Sequence, residues 1–145
     1  MVDITGKPVS YREAVAEGII KLRRETVERI KKGLVEKGDV FTVSSIAAIN
    51  AVKKTPDLIP LCHNIPITNV KTEFEIISDE EIKVKVTVKT TAKTGVEMEA
   101  LTGVAIALLN IWDMVKKYEK DQQGQYPYTL IKNIRVVVKT KKELE

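Results

Sequence analysis

Residues Lys93–Lys117, KTGVEMEALTGVAIALLNIWDMVKK, read as one long helix. Thr94, followed three residues later by Glu97, has the pattern of a capping box, in which two orphan amides of the first turn are satisfied reciprocally. From Ala100 to Trp112 nearly every side is apolar, the mark of a helix buried in a core or an interface. A thin polar stripe breaks that pattern. At ~100° per residue, Glu99, Asn110 and Asp113 share one side, flanked by Lys116 and Lys117. Polar groups on a buried helix need partners, so the stripe is where chemistry is expected. Glu99 and Asp113 stand about 20 Å apart along the axis at ~1.5 Å per residue. They cannot touch within one chain. Either they flank a long substrate, or they serve separate sites, or one site borrows ends from two subunits.

Just before the helix, Val70, Thr72, Phe74 and Ile76 alternate with Lys71, Glu73 and Glu75. After a polar break at Ser78–Glu80, Ile82, Val84, Val86 and Val88 alternate with lysines. This is a hairpin with one apolar and one wet face, and the lysine-bearing face could be covered by another subunit. Upstream, Tyr11–Leu22 alternates as a strand, Arg23–Lys32 reads as a helix stopped by Gly33, and Asp39 caps a helix running to about Lys54. Pro56 ends that helix, and Thr55–Ile67, with three prolines, is a stiff irregular segment. Met1–Ser10 is a mobile arm or an extended edge. Downstream, Tyr118–Tyr128 is a polar connection, Leu130–Lys139 a last strand with Val136–Val138 its most buried part, and the tail solvated. The order is strand, two helices, hairpin, helix, strand. Counting the two helices as one crossover gives β-α-β-β-α-β: an α+β, ferredoxin-like domain over 1–145, an antiparallel sheet with helices on one face and an extra helix in the first crossover.

The 145 residues are 43% hydrophobic and 30% charged, which suits one globular domain with a real core. The net charge of +4 suits an anionic ligand. Nucleic-acid binding usually clusters basic residues among aromatics, whereas here aromatics are 5% and the lysines scattered. A single cysteine allows no intrachain disulfide and points to a reducing, cytoplasmic compartment. No leader opens the chain, and the Ala100–Trp112 run is too short for a membrane span.

Cys62 and His63 are the lone cysteine and histidine. Adjacent residues seldom converge on one metal ion, and no further Cys or His completes a ligand set. Neighbours in an extended loop do not face each other as a nucleophile and base do. On its own the pair is most simply a packed loop, and otherwise His63 is a ligand-binding or proton-transfer group. Asp113 with Lys116 and Lys117 could be an ordinary helical ion pair worth roughly 0.2–0.5 kcal/mol; alternatively, a lysine crowded by cations can have its pKa lowered toward neutrality and act as acid or base. Lys37, before Gly38 and Asp39, is a turn residue or a cation reaching phosphate beside the free amides of a helix start. Glu99 lies outside the capping box and is therefore the better ligand candidate. Arg23, Arg24 and Lys93 read as generic anion contacts.

Four words occur in order: KGDVF (Lys37–Phe41), DLIPLCH (Asp57–His63), KTGVEMEALT (Lys93–Thr102) and DMVK (Asp113–Lys116). Together they resemble the motifs of the molybdenum-cofactor biosynthesis protein C family, the cyclic pyranopterin monophosphate synthases. The opening MVDITGK is similar to that family's start. The resemblance implies a phosphorus–oxygen lyase that rearranges 3',8-cyclo-7,8-dihydro-GTP to cyclic pyranopterin monophosphate and releases pyrophosphate. It implies that Lys37 and Lys116 are essential lysines and Asp113 a catalytic aspartate. Leu61, Cys62, His63, Met98 and Glu99 fall in its substrate-binding segments. It implies a ferredoxin-like homohexamer, a trimer of dimers, with sites shared between subunits. No organic cofactor and no dedicated metal site are expected, although magnesium can accompany the substrate triphosphate. Asn64 stands where the family commonly has proline, the Tyr118–Tyr128 connection is longer, and a Gly-rich tail is absent. The alternatives are a non-catalytic nucleotide- or RNA-binding module of the same fold, which lacks a stacking pair of aromatics on its strands, and a purely structural oligomer subunit, which leaves His63 and Lys37 idle.

Overall fold

In the computed structural model, which describes residues 1–145, the elements run β1 (Ser10–Lys21), α1 (Arg24–Lys32), α2 (Val40–Lys53), α3 (Thr55–Leu58), β2 (Asn69–Ile76), β3 (Glu81–Ala92), α4 (Glu97–Glu119) and β4 (Leu130–Glu143). The sheet order is β2-β3-β1-β4, with every neighbouring pair antiparallel. This is the ferredoxin-like α+β arrangement read from the sequence, with additional helices in the first crossover.

Alternation builds the core. Ala14, Ala16 and Ile20 of β1 and Ile82, Val84, Val86 and Val88 of β3 are wholly buried beneath Ala100, Val104, Ala107, Leu108 and Ile111 of α4. Each larger side chain so buried contributes about 1.5–3 kcal/mol. Two glycines permit the close approach. A Cβ at Gly18 would sit 2.8 Å from Leu108 Cδ1, and one at Gly103 would sit 2.9 Å from Val52 Cγ2 on α2. Asp39 caps α2 by accepting the Thr42 N–H at 2.8 Å. Gly33 closes α1 in the left-handed region, φ 67°.

Several expectations need correction. Helix α4 starts at Glu97, its N-cap position is Val96, and no side chain caps it. Lys139 of β4 pairs with the Glu97 carboxylate at 2.6 Å, so a strand distant in sequence takes the group that a capping box needs. Helix α2 ends at Lys53 as expected, but Thr55–Leu58, read as the start of an irregular segment, forms the short helix α3, with Pro56 in its first turn, where a missing N–H costs nothing. Val136–Val138 are the reverse of buried, at 37%, 43% and 46% exposure. They lie on an edge strand whose register against β1 shifts twice, with Asn133 at φ 58° at the second of the shifts. Part of the tail continues β4 to Glu143, paired along β1 as far as Ser10. The N-terminal arm is anchored: Lys93 Nζ donates to the Thr5 carbonyl at 2.7 Å, and His63 Nε2 meets the Val2 carbonyl at 2.6 Å.

Helix α4 is not buried all round. Its inner row makes the core, while on the outer row Met98 in the first turn and Leu109 near the middle of the helix are 41% and 53% exposed. At 23 residues it is long and apolar enough to cross a membrane by length and composition. Its inner face instead packs on the sheet and carries two buried carboxylates, Glu99 and Glu119. The sheet's one phenylalanine, Phe74, stacks on Phe41 of α2 at 5.0 Å.

Candidate active site

The lysine–aspartate group assembles at the C-terminal end of α4. Asp113 and Lys116 stand one turn apart on the helix, and Lys37 reaches them from the loop between α1 and α2. Lys37 Nζ lies 3.0 Å from Asp113 Oδ2 and 3.0 Å from the Asp113 carbonyl oxygen. Lys116 Nζ lies 2.9 Å from Asp113 Oδ1. The three border an open cavity of about 230 Å³ with Glu36, Met114 and Lys117. Hydrogen bonds from Lys116 and then Lys37 hold the Asp113 carboxyl below its usual range. Asp113 in turn raises Lys116. Lys116 is therefore not a lysine of lowered pKa. The charge nearest Lys116 is opposite in sign, and an opposite charge favours the protonated form.

The other group assembles at the N-terminal end. Leu61, Cys62 and His63, from the irregular segment after α3, meet Met98 and Glu99 of the first turn of α4 around a cavity of about 300 Å³. Glu99 is 3% exposed. Burial pushes its carboxyl up against the pull of its own amide, and Glu97 adds to the rise. The Cys62 thiol is also pushed up, by burial and then by Glu99. It stays protonated and is a poor nucleophile. With Nε2 donating to the Val2 carbonyl, neutral His63 keeps Nδ1 as an acceptor. Glu97 differs from Glu99: burial would raise it, but the Lys139 bond and its own amide outweigh burial and leave it lowered.

All eight residues singled out in the sequence thus fall into two groups, which lie at opposite ends of one helix and do not converge within the chain. Asn110, the middle of the stripe, donates to Ser44 Oγ at 3.0 Å and ties α4 to α2. Arg23 sits over the Tyr128 ring at 4.5 Å, and Arg24 pairs with Asp79 at 2.9 Å. The largest cavity, about 460 Å³, lies there and contains none of the eight. Residues not foreseen include Ile65, Glu97, Glu36 and Met114, which line the two cavities. Glu36 precedes Lys37 and Met114 follows Asp113, so adjacency to a motif was their signal; Ile65 had none.

The model of the MoaC family matches residues 1–142. A probable cyclic pyranopterin monophosphate synthase of Sulfurisphaera tokodaii is 61% identical over 141 residues, 97% of this chain and 93% of that protein. One from Archaeoglobus fulgidus is 60% identical, covering 97% of this chain and 90% of the relative. A relative from Methanothermobacter thermautotrophicus, 56% identical over 99% of this chain and 90% of its own length, is named a probable cyclic pyranopterin monophosphate synthase accessory protein.

Proposed function

The chain belongs to the MoaC family, and from that premise we propose that it is a cyclic pyranopterin monophosphate synthase of molybdenum cofactor biosynthesis. Its substrate is 3',8-cyclo-7,8-dihydro-GTP, and its products are cyclic pyranopterin monophosphate and pyrophosphate. The observation that carries the reading is the arrangement of Lys37 and Lys116 on either side of Asp113, at 3.0 and 2.9 Å. This is an exposed cationic group able to exchange a carboxylate for phosphates.

The chemistry follows from the charges. Rebuilding a guanine ring system as a pterin needs repeated proton transfers, which positioned side chains accelerate by about 10²–10⁴. Closing the cyclic phosphate requires a sugar-derived hydroxyl oxygen to bond to the α-phosphorus. The bond from that phosphorus to the pyrophosphate oxygen breaks, and the hydroxyl proton passes to a base. Lys116, raised by Asp113, enters protonated, as an acid and as positive charge for the leaving group. Lys37 supplies a second charge. As phosphates draw the lysines away, Asp113 is released as the base. Magnesium, where it takes part, travels with the substrate triphosphate, and no organic cofactor is required.

Glu99, His63, Cys62, Leu61 and Met98 bind the purine-derived part. The Glu99 carboxylate forms no ion pair in its cavity and suits the N–H edge of such a ring. Because α4 separates the two groups by about 20 Å, the complete site joins the N-terminal end of α4 in one copy to the C-terminal end in another. The exposed Met98 and Leu109 on the outer row of α4 and the apolar edge of β4 suit contacts of that kind. The assembly is a homohexamer built as a trimer of dimers, and it works in the cytoplasm.

The test is to incubate the purified protein with the cyclised dihydro-GTP and follow pyrophosphate together with the pterin, oxidised to its fluorescent form. Equal yields of the two, abolished by Lys116→Ala in an intact assembly, are expected. No product from folded protein would sink the reading.

A further inference from the structure

The loop that delivers Lys37 has little regular structure of its own. It leaves α1 at Gly33 and enters α2 at Asp39. Val35 anchors it in the core, 7% exposed. A turn from the Gly38 N–H to the Val35 carbonyl, 3.1 Å, brackets Lys37, with Gly38 at φ 114°. Those contacts fix where the turn begins and ends. They leave its tilt toward α4 open.

The tilt is set from α4. Tyr118 Oη accepts the backbone N–H of Glu36, the residue before Lys37, at 2.9 Å. The Glu36 carboxylate is bonded by Lys117, Tyr118's neighbour in the chain. The Tyr118 ring is held in turn by the Arg29 guanidinium of α1, 4.6 Å from its centroid. The ring also packs against the core. Three elements, α1, the loop and α4, therefore meet at one phenol.

We infer that Tyr118 is a positioning residue: its hydroxyl, with the Lys117–Glu36 pair as a second tie, holds the Val35–Gly38 turn so that Lys37 reaches Asp113. No side-chain hydrogen bond or ion pair joins Tyr118 or Lys117 to Lys37 or Asp113, so their side chains act through the turn. The inference rests on the proposed function only for its effect on turnover. The geometry it claims, Lys37 held against Asp113, can be read without substrate.

The charged groups facing Asp113 are Lys37 from the loop and Lys116 from α4, with Glu36 and Lys117 on the wall of the same cavity. Loosening Lys37 removes part of what holds the Asp113 carboxyl low, so its titration midpoint rises. The experiment follows the Asp113 carboxyl carbon by NMR across acidic pH in the wild type, Tyr118→Phe, Glu36→Gln and Lys37→Ala, with turnover measured in parallel. Tyr118→Phe keeps the ring and its Arg29 contact and removes only the acceptor. It should move the midpoint part of the way toward that of Lys37→Ala and lower turnover roughly two- to tenfold, the worth of one hydrogen bond. Glu36→Gln is the sharper arm. Losing a nearby negative charge by itself would lower the midpoint, so a rise there reports a displaced Lys37.

A wild-type midpoint in folded Tyr118→Phe overturns the inference. Should Tyr118→Phe fail to fold, a rise in Glu36→Gln supports the inference and a fall overturns it. If Lys37→Ala keeps full turnover, the catalytic reading of Lys37 fails, while the midpoints still decide whether Tyr118 positions it.

Discussion

The two ends of α4 carry the same functional group in opposite states. Asp113 is half-exposed, is bonded by two lysines, and titrates below the ordinary range. Glu99 is 3% exposed, pairs with no cation, and titrates above it. One carboxylate is satisfied before any ligand arrives; the other is not. The difference teaches where a binding site stores its strain. An exposed ion cluster contributes little to stability and can trade partners readily. A buried carboxylate with no cation and only its own amide beside it destabilises the free protein until a ligand's N–H groups reach it.

The largest effect should come from breaking both ends at once and recombining them. Lys116→Ala and Glu99→Gln should each lower turnover by about 10²–10⁴. Unfolded together and reassembled, the two inactive variants should recover about one active site in four if each site joins opposite ends of α4 from two copies related by symmetry. No recovery would place both ends in separate sites and remove the contrast's functional meaning.

A smaller effect should strike both ends equally. Gly103→Val drives a side chain into Val52 and pushes α4 off α2. Overpacking of this kind costs about 1–3 kcal/mol, measurable as a lower denaturation midpoint. Both cavities lean on α4, so ligand affinity should weaken at each. Loss at one end only would mean that the helix is not the common support.

The smallest effect is also the one of opposite sign. The folded-state pKa of Glu99 lies above its unfolded value, so its neutral form is the one the fold prefers. Its contribution is full below the ordinary glutamate value of 4.5 and is lost as pH rises through the folded value. Glu99→Gln should therefore raise Tm at neutral pH, by about 2–4 °C, while destroying activity. Near pH 4 the gain should vanish. A lower Tm at neutral pH would mean that the carboxylate has a partner in the assembled protein.

Local pattern made most of the fold legible. Alternation marked β1, β2 and β3, because one face of each is apolar whatever lies on it, and Gly33 and Asp39 marked helix ends through their own φ and side-chain chemistry. Where a distant group intervened, local pattern failed. Glu97 had a capping partner three residues away, but Lys139 took it. Val136–Val138 had the composition of a central strand, but edge position and two register shifts leave them near 40% exposed.

For the site, the sequence by itself singled out the candidate residues and determined that α4 holds Glu99 and Asp113 too far apart to meet, since helical rise is fixed by backbone geometry. Only the tertiary structure decided their states. It brought Lys37 across 76 positions onto Asp113, left Lys116 protonated more firmly rather than less, and closed Cys62 and His63 over a carboxylate with no cation beside it. Charge state depends on desolvation and on the nearest opposite charge, and both are set by which distant segments come together.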